Sequence, residues 1–256
     1  MTNLNNKTFF LVGFTAIIFI ILFVVIFDPI GTLTASIGTF SNTVYQSRTL
    51  HSPDGIGKFY MGREIAKVMG HTEALWLERA TREVEEKPSE VVNALNLNPT
   101  DIVADIGAGT GYFTFQIAPL IPEGKVLAVD IQPEMIDIID FLQKENNITN
   151  VEPVLGSVTD SNLPGENVDL ALMVDAYHEF EYPREMMSGV ARALKPGGRV
   201  VLVEYRRENP FILIKAPHKM TQKQVRKEMS VVGLEWIETK NFLPQQHFMV
   251  FQKPAI

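Results

Sequence analysis

The chain has 256 residues, 46% hydrophobic and 21% charged, a balance that supports a packed core and excludes disorder throughout. A formal net charge of −7 argues against binding to a phosphate backbone, so no nucleic-acid partner is expected. The absence of cysteine excludes disulfides, thiolate metal sites and cysteine nucleophiles.

Residues 1–8 form an N-terminal tail. Residues 9–27, FFLVGFTAIIFIILFVVIF, contain no charged side chain. A run of about 18 or more apolar residues crosses a bilayer as one helix, whereas the apolar region of a signal peptide spans about 7–15. One retained, single-pass transmembrane helix is therefore expected, with a signal segment cleaved near the small residues of TLTASIG as the alternative. Lys7 and Asp28 are the only charges close to it, too few to fix its orientation.

Residues 28–57, rich in Gly, Thr and Ser, are expected to be a linker. Residues 58–97 are expected to be a helical cover, with Ile65, Val68, Met69, Leu75 and Leu77 on short helical segments. TREVEEKPSEVVNALNL reads as two helices broken at Pro88. Its Arg82, Glu85 and Glu86 form a charged face, ordinarily a solvated one.

From Asn98 to Ile256 strands and helices alternate. DIVADIG, KVLAVD, VEPVL, VDLALMVD and RVVLVEY are strand-like. GYFTFQIAPLI, PEMIDIIDFLQKENN, PREMMSGVARALKPGG and TQKQVRKEMSVVG are helix-like, with Pro133 at one start and Thr221 as an N-cap. LEWIETKNF and HFMVFQK are expected to pair as two final strands. The pattern predicts an α/β fold with a doubly wound, mostly parallel sheet.

The loop after DIVADI carries Gly107, Gly109 and Gly111, and Asp130 ends the next strand. Glycines at a strand's carboxyl end admit a ligand to the backbone, and a carboxylate about 20 residues later accepts ribose hydroxyls. Together they point to an adenosine-type nucleoside. The spacing is G-x-G-x-G, whereas a dinucleotide's pyrophosphate takes the third glycine one residue later. Asp105 would repel a phosphate and attract an ammonium. The ligand is read as S-adenosylmethionine; an NAD-dependent oxidoreductase is the less favoured enzyme.

VADIGAGTGYF, KVLAVDIQPEMI, NVDLALMVD and LKPGGRVVLVEY resemble the successive motifs of class I S-adenosylmethionine-dependent methyltransferases, over roughly residues 76–256. UbiE-like and arsenite methyltransferases look like more distant relatives. The resemblance implies a seven-stranded sheet with an antiparallel last strand. It implies that Asp105, Gly107, Ala108, Gly109, Thr110 and Gly111 hold the methionine portion of the cofactor. Asp130 would hold the ribose, with Ile131 and Gln132 flanking the adenine. Ser157, with Val158 beside it, stands where many members have an aspartate that accepts from the adenine amino group, and Asp160 is an alternative. Asp175 and Ala176 would lie near the methionine end.

Methyl transfer needs alignment and, for a protonated nucleophile, a base. His178 is the candidate base and Tyr205 a candidate for positioning the substrate. Glu179 is expected to pair with an arginine. Arg206 and Arg207 either hold an anionic substrate or are solvated. His218 and Lys219 fall in a lid, and His247 starts the last strand. No metal site is expected, because the five histidines are scattered along the sequence. The expectation is a membrane-anchored methyltransferase domain facing the cytoplasm and acting on a small-molecule or lipid-like acceptor. A non-catalytic S-adenosylmethionine-binding membrane protein is the alternative.

Overall fold

A computed structural model describes residues 44–255. The tail, the expected transmembrane helix over 9–27 and the first part of the expected linker lie outside the described residues. Among the described residues no helix is long and apolar enough to cross a membrane.

The chain opens with a small antiparallel sheet of β1 (Tyr45–Ser47), β2 (Gly55–Tyr60) and β3 (Arg63–Ala66), in that order. This corrects the expected linker over 28–57 where it falls on the described residues, and the expected helical cover over 58–97 as far as Ala66. The chain reverses at Met61 and Gly62, with φ of 48° and 102°, a left-handed pair suited to a two-residue hairpin. That reversal buries Tyr60 and Ile65 and leaves Val68 exposed, so the spacing of Ile65, Val68 and Met69 is not a helical face. Arg63 Nε donates to Glu228 Oε1 at 2.8 Å, joining this hairpin to helix α6 (Gln222–Val231). After a 3₁₀ turn, His71–Trp76, the cover contains only two short helices, α1 (Arg82–Glu85) and α2 (Pro88–Ala94). They are broken before Pro88, as expected, where Lys87 adopts φ 55° and ψ 53°.

The main sheet has seven strands: β4 (Ile102–Ile106), β5 (Lys125–Asp130), β6 (Val151–Leu155), β7 (Val168–Val174), β8 (Leu194–Tyr205), β9 (Glu235–Lys240) and β10 (Gln246–Gln252). Their order is β6-β5-β4-β7-β8-β10-β9. Pairings from β6 to β8 are parallel, and β10 is antiparallel to both neighbours. Alternate side chains feed two cores, Leu170, Leu172, Val201 and Val203 on one face and Ala171, Met173, Val200 and Leu202 on the other. Helices α2, α3 (Tyr112–Ile117) and α4 (Pro133–Glu145) cover the first face; α5 (Pro183–Ala193) and α6 cover the second. α5 stops at Ala193, before the glycines expected to end it. Leu194 is already extended, with ψ 138°, and Pro196 has no place in a helix interior.

From β4 the chain winds outward to β6, then returns to β7 on β4's other side. The strand order therefore reverses between β4 and β7, and the crevice outside their carboxyl ends is where such sheets bind ligands.

Candidate active site

β4 delivers the glycine loop to that crevice. The Gly107 and Ala108 N–H groups donate to Val129 O at 2.8 and 3.0 Å, pinning the loop against β5. Gly107, Gly109 and Gly111 have φ of 76°, 57° and 87°, a region that costs other residues about 1–2 kcal/mol. At Gly107 a Cβ would lie 2.7 Å from Ala176 Cβ, so the loop also passes too close to the end of β7 for a side chain. The Asp130 carboxylate accepts from Gly109 N and Gln132 N, each at 2.9 Å, which fixes it at the loop's edge. Burial pushes its carboxyl above the usual carboxylate range.

A cavity of about 980 Å³ opens here, at the upper end of the range for small-ligand sites. Gly107, Gly109, Asp130, Ile131, Gln132 and Val158 line one end; Asp175, His178 and Tyr205 line the other. The remaining residues expected to bind the cofactor do not line the cavity. Asp105 is buried and accepts from Thr114 Oγ1 at 2.7 Å, bracing the first turn of α3. Burial, only partly offset by that bond, raises its carboxyl to about 6. Thr110 Oγ1 donates to Glu78 Oε1 at 2.6 Å and ties the loop to the cover. Ala108 and Gly111 shape the loop's backbone. Ser157 Oγ accepts from Asp160 N at 3.0 Å, and Asp160 in turn accepts from Asn162 N, so both organise the turn that presents Val158.

At the other end, Asp175 follows β7 with φ 49°. Its Oδ2 accepts from Gln246 Nε2 at 2.7 Å, and its buried Oδ1 has no hydrogen-bond partner. Burial, with the Glu86 and Glu204 carboxylates, raises its carboxyl well above the usual range. The Tyr205 hydroxyl donates to Glu86, which also accepts from Arg79 and, at 2.9 Å, from Arg82 Nε. Arg82 and Glu86 are only 4% and 2% exposed, which corrects their reading as a solvated face. Burial, followed by the Asp175 and Glu86 carboxylates, raises the Tyr205 phenol. Arg206 and Arg207 are not on the wall; they donate to Leu243 O at 2.8 Å and Ala216 O at 3.1 Å and brace loops.

His178 sits in a 3₁₀ turn, Tyr177–Glu179, just past β7. Its Nδ1 lies 2.6 Å from Glu204 Oε2, and its Nε2 lies 3.1 Å from Nδ1 of His218. Burial opposes its charging, but Glu204, Glu179 and Asp175 outweigh that and raise the imidazole to about 9. Glu179 pairs with no arginine. Its Oε2 accepts from Met69 N at 3.2 Å and its Oε1 lies 3.5 Å from His218 Nδ1. The sequence spacing conceals this convergence, because forty positions separate the two histidines. His247 instead pairs with Glu208 at 2.9 Å, away from the cavity. The segment from Lys67 to Leu77, part of the expected cover, forms part of the wall without the regular helix expected of it. Its irregular backbone leaves no periodic signal.

A methyltransferase-domain family model matches residues 97–248 of the chain. A methyltransferase-like protein of Schizosaccharomyces pombe is 32% identical over 142 residues, 56% of this chain and 53% of that protein. The arsenite methyltransferase of Halobacterium salinarum is 30% identical over 114 residues, 44% of this chain and 29% of that protein. The chain thus spans about half or less of these curated relatives. Among solved structures, an S-adenosylmethionine-dependent methyltransferase from Aquifex aeolicus aligns with a TM-score of 0.68 and 19% identity, covering 73% of this chain and 100% of that one. The [4+2]-cyclase SpnF aligns with a TM-score of 0.58 and 13% identity, over 66% of this chain and 80% of its own. The chain belongs to the methyltransferase-domain family.

Proposed function

We propose that this family member is a membrane-anchored enzyme that transfers the methyl group of S-adenosylmethionine to a small-molecule or lipid-like acceptor. The observation that carries the reading is the joining of a glycine cradle and a fixed carboxylate, Asp130, to a polar, histidine-bearing end within one cavity. The residues present fit the cofactor. Gly107 packs against Ala176 too closely for a side chain, and Gly107 and Gly109 line the cavity with main chain. Ile131, Met135 and Val158 offer apolar walls for an adenine, and Asp175 brings a carboxyl group to the same cavity. When bound, S-adenosylmethionine supplies a methyl carbon on a positively charged sulfur, which leaves as a neutral thioether once an acceptor's lone pair takes the carbon.

The chain's own contribution is to bind, align and handle a proton. Asp130 faces the ribose. Asp105 acts from behind by holding the start of α3. Tyr205, held by Glu86, shapes the acceptor end. His178, oriented by Glu204, receives the acceptor's proton at Nε2. Because its imidazole is raised to about 9, the free base grows as pH rises, so the rate is expected to climb toward that pH.

Anchoring is supported by the uncharged stretch of residues 9–27, and a cytoplasmic face is supported by where the methyl donor is made. A fusion reporter at the C-terminus tests orientation. The central test is calorimetry of S-adenosylmethionine on the full-length chain in detergent. A single saturable site that NADH does not displace is expected; no heat and no thermal shift would refute the reading. The likeness to a cyclase shows that the fold alone does not dictate the reaction. Radiolabelled methyl transfer into lysate lipids and metabolites separates a methyltransferase from a binding protein.

A further inference from the structure

Three side chains from two distant segments aim their ligand atoms at one point on the cavity wall. His178 Nε2 and His218 Nδ1 are 3.1 Å apart, His218 Nδ1 and Glu179 Oε1 are 3.5 Å apart, and His178 Nε2 and Glu179 Oε1 are 3.8 Å apart. A tetrahedral zinc ion with bonds of about 2.0–2.1 Å to nitrogen and oxygen sets its ligand atoms about 3.3–3.4 Å apart. The observed edges of 3.1, 3.5 and 3.8 Å bracket that spacing, so shifts of a few tenths of an ångström would bring the three atoms to three corners of such a tetrahedron. The imidazole centroids are 5.1 Å apart, so the two nitrogens lie between the rings, edge toward edge.

The surroundings are those of a supported metal site. Glu204 takes Nδ1 of His178 at 2.6 Å, so a neutral imidazole would keep its proton there and present Nε2 to an ion. Met69 N takes Oε2 of Glu179, leaving Oε1 for the shared point. The ligand side chains are 3%, 16% and 24% exposed, and all three line the cavity. Two imidazoles and a carboxylate leave a fourth corner open to whatever enters, the pattern of catalytic rather than structural zinc sites.

We propose that His178, Glu179 and His218 form a mononuclear site for a divalent transition-metal ion of the zinc class, with its open position facing the acceptor end of the cavity. Imidazole donors favour Zn²⁺ over Mg²⁺, which prefers an oxygen shell. The ion would occupy the lone pair that otherwise takes a proton, so His178 becomes a ligand and no longer a base. On the methyltransferase reading, the ion would then hold the acceptor's oxygen, nitrogen or sulfur and ease loss of its proton to solvent. Ion binding itself does not depend on that reading.

The test uses the full-length chain, stripped with a chelator and titrated with Zn²⁺, Co²⁺ and Mg²⁺. One equivalent of Zn²⁺ is expected by equilibrium dialysis. Co²⁺ should give intense visible bands of a low-symmetry four- or five-coordinate site, and Mg²⁺ should not compete. His218→Ala, at the more exposed corner, should lose the Co²⁺ bands while keeping the native circular dichroism. Glu204→Gln should weaken Zn²⁺ by about 10–100-fold. No uptake by the native chain, or uptake unchanged in His218→Ala, overturns the proposal. S-adenosylmethionine calorimetry on the same preparation keeps the two readings apart: metal uptake without S-adenosylmethionine binding removes only the methyl-donor assignment, and the converse removes only the metal site.

Discussion

At the β4–β5 end of the cavity the backbone provides most of the surface. Three glycines with left-handed φ bring main chain to the ligand edge, and Asp130 is held by two backbone N–H groups. At the β7–β8 end, side chains provide it. Asp175, Tyr205, Arg82, His178 and His218 line it from several separate segments; behind them Glu86 holds Tyr205 and Arg82, Glu204 holds His178, and Gln246 holds Asp175. A backbone cradle needs only a short local motif and tolerates change elsewhere. A cluster of buried charges needs every partner, because one removed leaves another uncompensated.

The largest expected effect strikes the side-chain end. Glu86→Ala strands Arg82, which is 4% exposed, and frees Arg79 and Tyr205. The expected loss is about 3–5 kcal/mol in urea unfolding. A loss below about 1 kcal/mol would mean that the cluster does not support this end.

Next is an acid-dependent term under the glycine loop. Burial raises the Asp105 carboxyl to about 6, against about 3.9 in an unfolded chain. Native Asp105 therefore binds its proton more tightly than the unfolded chain does. The resulting stabilisation is fully present below about pH 4 and is lost as pH rises to about 6, amounting to at most about 3 kcal/mol. Asp105→Asn should flatten the stability profile across that window; an unchanged slope would place the titration elsewhere.

Asp130→Asn then tests the ligand contact of the backbone end. Losing a charged acceptor for ribose hydroxyls should cost about 1.5–3 kcal/mol of S-adenosylmethionine affinity by calorimetry. Equal affinity would remove Asp130 from the site.

The smallest effect sharpens the boundary of that end. Ser157 holds an exposed turn and is off the cavity wall, so Ser157→Ala should change stability by no more than about 0.5 kcal/mol. S-adenosylmethionine affinity should hardly move. A tenfold loss would show that the hydroxyl reaches the adenine.

Legibility in the sequence follows the same division. The strand–loop–helix alternation from Asn98 onward gave the parallel sheet, and the expected pairing of LEWIETKNF with HFMVFQK marked the antiparallel return through β10. Pro88 and Thr221 were legible because each acts on its own neighbours, Thr221 by accepting from Gln224 N at 3.1 Å. Residues 45–66 were misread because a hairpin of short strands with glycines resembles linker composition, and its burial depends on α6. Arg82 and Glu86 read as surface because a charge's burial depends on partners that sequence spacing does not reveal.

By itself, then, the sequence determined the doubly wound sheet, the glycine loop and Asp130 at its edge, because these depend on periodicity and on conformational limits acting over a few residues. Only the tertiary structure decided that Asp105 is buried behind the wall and Ser157 lies off it, that Arg82, Glu86 and Tyr205 form a buried cluster, and that His178, Glu179 and His218 meet. Those outcomes rest on packing between segments far apart in the chain, where desolvation decides which charges must pair and no local pattern records the pairing.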